Sequence, residues 1–318
     1  MLGDGAPNNM TRNYEDEIAH WAEKLFYPVS LKGKVPKKDT TGRKLGATSV
    51  KAFTSRAKIR AQISRTTRRT PEVMVKITNR LGAGKGMAAI REHLTYISRN
   101  GKLELETDTG ELIADKASRA SYTREWQEQV RGKPIAEVSP RREAINIILS
   151  MPAGTPPDKV REAASEFLKE EFGDRHRYCF VLHTDTDKPH VHACVLAAPL
   201  TKGKRLNPRK ADLQRWREGF AEQLRQRGID ANATPRRTRG ATDQTQRQSA
   251  HHARQRRRLQ FVQVANPVEW PKVYKSALTA WDRLARVMRD SPTEADRNTA
   301  NQIEDFVTGR QPSVTRKR

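Results

Sequence analysis

The chain has 318 residues, 35% hydrophobic and 31% charged, long enough for two average domains but too polar to be packed core throughout. Lys and Arg total 61 against 37 Asp and Glu, a formal charge of +24 that calls for a polyanionic partner, because each neutralised phosphate releases condensed counterions. No apolar run approaches the roughly 20 residues of a spanning helix and no signal segment is visible, so membrane insertion is not expected; two cysteines, Cys179 and Cys194, are too few for a disulfide framework or a cysteine-type zinc site and read as buried thiols in a reducing cytosol.

Residues 1–28 lean acidic, and DEIAHWAEKLFY (Asp16–Tyr27) has the spacing of one short amphipathic helix. From Leu31 to Pro71 one acid, Asp39, stands against thirteen Lys and Arg with little apolar periodicity, the pattern of a flexible basic arm. VMVKI (Val73–Ile77) reads as a strand and NRLGAGKG as a Gly-rich turn. Met87, Ile90, Leu94 and Ile97 then recur at helical spacing, which predicts a helix over 86–99 ended by Asn100-Gly101. EAINIILSM (143–151) is a second strand, followed by a helix in TPPDKVREAASEFLKEEFG with Thr155 as cap, prolines at its first positions and Gly173 at its end. RYCFVLH and HVHACVLAA are two more strands around the polar connection TDTDKP, and ADLQRWREGFAEQLRQRG is a periodic helix stopped by Gly228. Strands alternating with helices predict one α/β sandwich domain over residues 73–235, with a basic extension at 1–72 and an Arg-rich linker and tail at 236–318. In that tail YKSALTAWDRLARVMRD has amphipathic helical spacing, and the chain ends in TRKR.

The densest chemistry lies in HTDTDKPHVH, His183–His192, with three of the eight histidines. Period two puts His190 and His192 on one strand face, and His183 ends the preceding strand. If those strands pair as a hairpin, three imidazoles converge and leave open positions on a divalent ion, as catalytic sites do. Asp185 and Asp187 are within reach to orient an imidazole or accept a proton. A hairpin whose histidines are satisfied by its own loop is the plainer alternative. A metal beside a basic surface suits phosphate chemistry, with the ion polarising the scissile phosphate. Among the tyrosines, Tyr96 lies near the end of the first helix, one position off its apolar stripe and just before Arg99 and Lys102, which could hold a phosphate. A phenol attacks only with help from a base or cation. GAGKG lacks the spacing of a nucleotide-binding loop, which excludes nucleotide hydrolysis, and His251-His252 reads as solvated tail. His93, one turn before Tyr96, reads first as a partly exposed helix histidine.

HLTYISRNGKLEL, INIILSMPAGT and HTDTDKPHVHACV, in that order, resemble the three motifs of conjugative relaxases, most nearly the P-type mobilisation family that includes the border-nicking relaxases of transfer-DNA systems. The resemblance covers about Val73 to Arg239. It implies an antiparallel-rich sheet-and-helix sandwich of the histidine–hydrophobe–histidine (HUH) endonuclease class. By the same resemblance Tyr96 attacks the phosphate at the nick of an origin of transfer. Ser150 helps hold the DNA with Arg99 and Lys102; His183, His190 and His192 bind a divalent ion, Mg or Mn; Asp185 helps activate the site. The implied partners are single-stranded origin DNA, auxiliary DNA-binding relaxosome proteins and a coupling protein with its type IV secretion channel. The implied location is the bacterial cytoplasm, with export to the recipient alongside the DNA. Two departures stand out: Leu196 where family members often carry Asn, and about 70 residues before the first strand, where the tyrosine usually lies near the start. The alternatives are a replication initiator or transposase of the same metal class, and a non-catalytic nucleic-acid-binding accessory protein.

Overall fold

The computed structural model describes residues 9–27, 56–79, 86–128, 134–239 and 272–309. Helices α1 (Asn9–Phe26) and α2 (Arg56–Thr67) come first, followed by β1 (Met74–Ile77) and α3 (Met87–Ile97). Then come β2 (Leu105–Thr107), β3 (Leu112–Ile113), α4 (Lys116–Glu128), β4 (Ala144–Ser150) and α5 (Pro157–Phe172). β5 (Tyr178–His183), β6 (His190–Leu196), α6 (Lys210–Gln226), α7 (Lys272–Arg289) and α8 (Glu294–Thr308) complete the order. The chain divides into two compact units: described residues from 69 to 233 form one, and those of 9–27, 56–68, 234–239 and 272–309 form the other.

The first unit is built on a six-stranded sheet in the order β1-β4-β6-β5-β2-β3, antiparallel at every pairing. Side chains alternate between the two faces along these strands, so the central strands β4, β5 and β6 feed two cores. On one face Val75, Ile145, Ile147, Leu149, Phe180 and Val191 pack with Phe167 and Phe172 of α5 and Trp216 and Phe220 of α6. On the other, Cys179, Val181 and Cys194 pack with Met87, Ile90, Leu94 and Ile97 of α3 and with Tyr122 and Trp126 of α4. The result is the expected α/β sandwich, with the histidine hairpin at mid-sheet.

One local expectation is corrected, and three elements go unannounced by the sequence pattern. Thr155 does not cap α5: Pro156 occupies that position and the Thr155 hydroxyl donates to the Pro152 carbonyl at 2.9 Å. β2 and β3 are too short, at 3 and 2 residues, to announce themselves by pattern. α4 has a low apolar content and is started by Asp115, whose carboxylate accepts from the Ala117 and Ser118 amides at 2.7 and 2.9 Å.

Among its described residues the regular elements of the second unit are all helices. α1 holds the stretch from Asp16 as far as Phe26 and extends it backwards to Asn9, and α7 holds the predicted tail helix as far as Arg289. The reading of residues 31–71 as a flexible arm fails at α2. Only Ile59 and Ile63 supply its apolar stripe, too few to register as a period, yet both are buried with Trp281, Leu284, Ile303 and Phe306. Residues 31–55 and 240–258 of the basic segments lie outside the described residues. Beneath α2, Arg60 donates to Asp296 at 2.7 and 2.8 Å and to Glu15 at 2.8 and 3.0 Å, while Tyr14 donates to Asp296 at 2.7 Å. Burial alone would raise the Asp296 carboxyl, but these donors outweigh it and hold it well below its ordinary 3.8. Asp296→Ala leaves Arg60 without its most buried partner and is expected to cost about 3 kcal/mol in urea unfolding. Because the folded carboxyl is depressed, that difference between wild type and variant is present above pH 3.8 and shrinks as pH falls below it.

Candidate active site

The hairpin expected from the sequence forms. β5 and β6 pair antiparallel with His183 opposite His190, and His192 opposite Val181, so all three imidazoles emerge on one sheet face. Ring centroids are 4.5 Å apart for His183–His192, 5.2 Å for His190–His192 and 5.3 Å for His183–His190. One ligand nitrogen from each lies within 4.8 Å of the others. Imidazoles sharing one ion at roughly 2.1 Å stand at most about 4 Å apart, so the cluster is close to a ligating arrangement.

The donor chemistry fits a cation. His183 Nε2 donates to the Ile97 carbonyl at 2.7 Å, which leaves Nδ1 with its lone pair. His190 Nδ1 donates to the Lys188 carbonyl at 2.9 Å, which leaves Nε2 free. Backbone acceptors therefore set both tautomers, as carbonyls behind ligating histidines commonly do. Burial lowers His183 from its ordinary 6.5, against its bond to Ile97, with Arg99 and His190 pushing the same way as burial. Burial also pushes His192 down to about 3, helped by His183, His190, His93 and Arg99. Both rings are thus neutral, the form that ligates, throughout the physiological range.

Tyr96 stands beside this cluster. It is 59% exposed although it sits on a helix with a buried stripe, and its ring meets that of His192 edge-on at 6.5 Å. After Ser98 the chain turns through three left-handed residues, Arg99, Asn100 and Gly101, with φ of 51°, 60° and 90°. The two non-glycine residues cost about 1 kcal/mol each in that region. Amide bonds of Gly101 and Leu103 to the Ser98 carbonyl, at 2.9 and 3.0 Å, hold the turn. The buried Arg119 of α4 supports it from below through the Ser98 hydroxyl at 3.3 Å. The turn aims Arg99 back at the site: Nη2 donates to His183 Nδ1 at 3.3 Å and pairs with Asp185, and the guanidinium lies 5.5 Å from the Tyr96 ring centre. Asp185 is raised by burial but lowered more by Arg99 and the histidines, a net fall that keeps it ionised.

Ser150 is buried, in register with His190 on the triad's face, and its hydroxyl donates to the Met151 carbonyl at 3.3 Å. Lys102 is exposed and stands apart, lining an open cavity of about 510 Å³ with Leu112, Arg161 and Leu182; among the described residues it makes no hydrogen bond or ion pair with the triad. His93 is better buried than its sequence suggested. Burial pushes it down to about 4, and among the described residues its Nε2 has no hydrogen-bond partner. Its helical offset of three from Tyr96 was the available signal.

Residues 96–229 match the family model for the MobA/VirD2-like relaxase nuclease domain. That stretch is similar to MobA/VirD2-like relaxase nuclease domains. The match begins at Tyr96 and includes the hairpin, so the family resemblance and the geometry fall on the same residues. Over 197 residues the chain is 29% identical to the T-DNA border endonuclease VirD2 of Rhizobium radiobacter, covering 57% of this chain and 46% of that protein. It is 28% identical over 177 residues to VirD2 of Agrobacterium fabrum, covering 51% and 39%. It is 27% identical over 125 residues to the 43 kDa relaxation protein of Salmonella typhimurium, covering 34% and 31%. The aligned stretch spans less than half the length of each of these relatives. No helix of the described residues is long and apolar enough to cross a membrane.

Within the matched stretch Arg99 sits on the lone pair that His183 would offer to an ion, so the two cations would compete there. Titration of the DNA-free protein with Mn²⁺ is therefore expected to show opposite shifts in two variants. His192→Ala loses about 100-fold in affinity, whereas Arg99→Gln gains several-fold.

Proposed function

We propose that the chain nicks one strand of DNA at an origin of transfer and holds the 5′ end covalently on Tyr96. The observation that carries this reading is the pairing of an exposed phenol with a three-imidazole cluster, two of whose tautomers are set for ligation, inside a stretch that matches a relaxase nuclease domain. The named activity of the VirD2 relatives, T-DNA border endonuclease, supports the same class of substrate.

In this mechanism single-stranded DNA lies across the triad's sheet face, with Ser150 and basic side chains on its backbone. A divalent ion on His183, His190 and His192, Mg or Mn, would supply polarisation of the scissile phosphate. The Tyr96 oxygen forms a bond to phosphorus as the bond to the 3′ oxygen breaks, and the phenol's proton passes to that leaving oxygen through the surrounding groups or solvent. One phosphodiester replaces another, so the ends can later be rejoined without an added energy source. Arg99 brings positive charge to the developing charge on phosphate. Asp185 contributes by holding Arg99 at the site, where its ionised carboxylate already pairs with the guanidinium. Auxiliary origin-binding proteins, a coupling protein and a secretion channel are the partners this activity would need. The basic segments would add strand-independent affinity.

Labelled single-stranded DNA from the element's own transfer origin, incubated with the protein and Mg²⁺ or Mn²⁺, tests this on a denaturing gel. The label is expected to migrate with the protein, and to be lost with EDTA or in Tyr96→Phe. An adduct that persists in Tyr96→Phe would overturn the nucleophile. Native binding with no adduct under either metal would favour the accessory-protein alternative.

A further inference from the structure

The strand register continues the active site beyond the residues already discussed. Across four strands Met74 pairs with Ser150, Ser150 with His190, and His190 with His183. The next row on the same face reads Lys76, Ile148, His192 and Val181. Directly paired residues share a face, so both rows of the triad run outward onto β1. Strands lie about 4.8 Å apart, which puts Met74 about 10 Å from His190 with Ser150 between them.

Beyond the buried Ser150, this end of the sheet face is open among the described residues. α3 and α4 pack over β2, β3, β5 and β6, reaching β4 only at Ala144. Farther along, Asn146 and Ile148 are half-buried, Met74 is 47% exposed and Lys76 is exposed. The opposite face of β1 is ordinary core, with Val73 and Val75 buried against the α5 and α6 side. A lysine on an edge strand can serve simply to discourage pairing with another sheet. That explanation accounts for Lys76 but not for an unbranched thioether laid out in line with the metal-ligand row.

We propose that β1 is a DNA-reading strand, in which Met74 stacks against a base next to the nick and Lys76 takes the adjoining phosphate. The inference rests on the DNA-nicking reading above and adds two contact residues to it. Single-stranded DNA fits the surface because it offers an unstacked base and a phosphate within one nucleotide. A polarizable thioether favours the aromatic face of a base, and an ammonium favours the phosphate. A protein partner would be expected to bury a wider apolar area than one methionine provides.

The test measures binding of the full chain, in EDTA, to fluorescent single-stranded DNA that spans the nick of its transfer origin, over a series of salt concentrations. Lys76→Gln is expected to reduce the slope of log affinity against log salt by about 0.7, the loss of one single-strand phosphate contact. Met74→Ala is expected to weaken binding about fivefold with the slope unchanged. It should also erase the wild type's sensitivity to an abasic substitution at one position beside the nick. Met74→Gln, which keeps the side-chain length, repeats the abasic comparison if the alanine variant melts earlier than wild type. If wild type binds the strand and the variants share its slope and abasic profile, the assignment of β1 is wrong while the nicking reading stands. If wild type does not bind that strand, both fall.

Discussion

The pairing of β5 with β6 is the constraint on which the rest of the site depends. Antiparallel register places His183 opposite His190, and the two-residue period then puts His192 on the same face. A slip of one residue would turn the histidines of one strand into the opposite core, where imidazoles would replace side chains such as Leu182 and Val191. Register is secured by what surrounds the hairpin. β4 pairs along all seven residues of β6, and Phe180, Val191 and Ala193 lock one face into the α5 and α6 core while Cys179, Val181 and Cys194 lock the other. The metal-capable cluster is therefore a consequence of two hydrophobic cores agreeing on one alignment.

Electrostatics completes what register begins. Burial keeps His183 and His192 neutral, and carbonyls of Ile97 and Lys188 select which nitrogen of His183 and His190 faces the cluster. The Ile97 carbonyl belongs to the last residue of α3, the residue directly after Tyr96. One hydrogen bond thus ties the orientation of His183 to the helix that carries Tyr96, the proposed nucleophile. The left-handed turn that follows spends conformational energy to bring Arg99 back over the phenol and onto Asp185. Backbone strain at that point is consistent with a side chain held for chemistry.

Much of this was legible in the residues. The strand and helix periods of β1, α3, β4, α5, β5, β6 and α6 are strong because each faces at least one apolar layer, and the histidine spacing needed only the hairpin to become a cluster. Tyr96, one position off the apolar stripe of its helix, reads by itself as a boundary aromatic, and the motif resemblance is what singled it out. The hidden features share a physical cause: their information is nonlocal. α2 is polar but for Ile59 and Ile63, and is helical because of the helices it packs against. β2 and β3 exist through pairing with β5 and with each other. Arg99 reads as a free phosphate-binding cation, yet its position follows from a three-residue left-handed turn propped by Arg119, in the first turn of α4. The rows from the triad to Met74 and Lys76 required the strand order, which no local pattern contains.

The central claim is that Tyr96 and the histidine cluster form one nicking centre, and the most direct measurement is the identity of the DNA-linked residue. Protein reacted with an origin single strand and Mn²⁺ would be digested with nuclease and trypsin and its peptides sequenced by mass spectrometry. The account predicts a nucleotide on the peptide Glu92–Arg99, attached at Tyr96. A nucleotide on any other residue, or a nicked strand with every tyrosine unmodified, would contradict it.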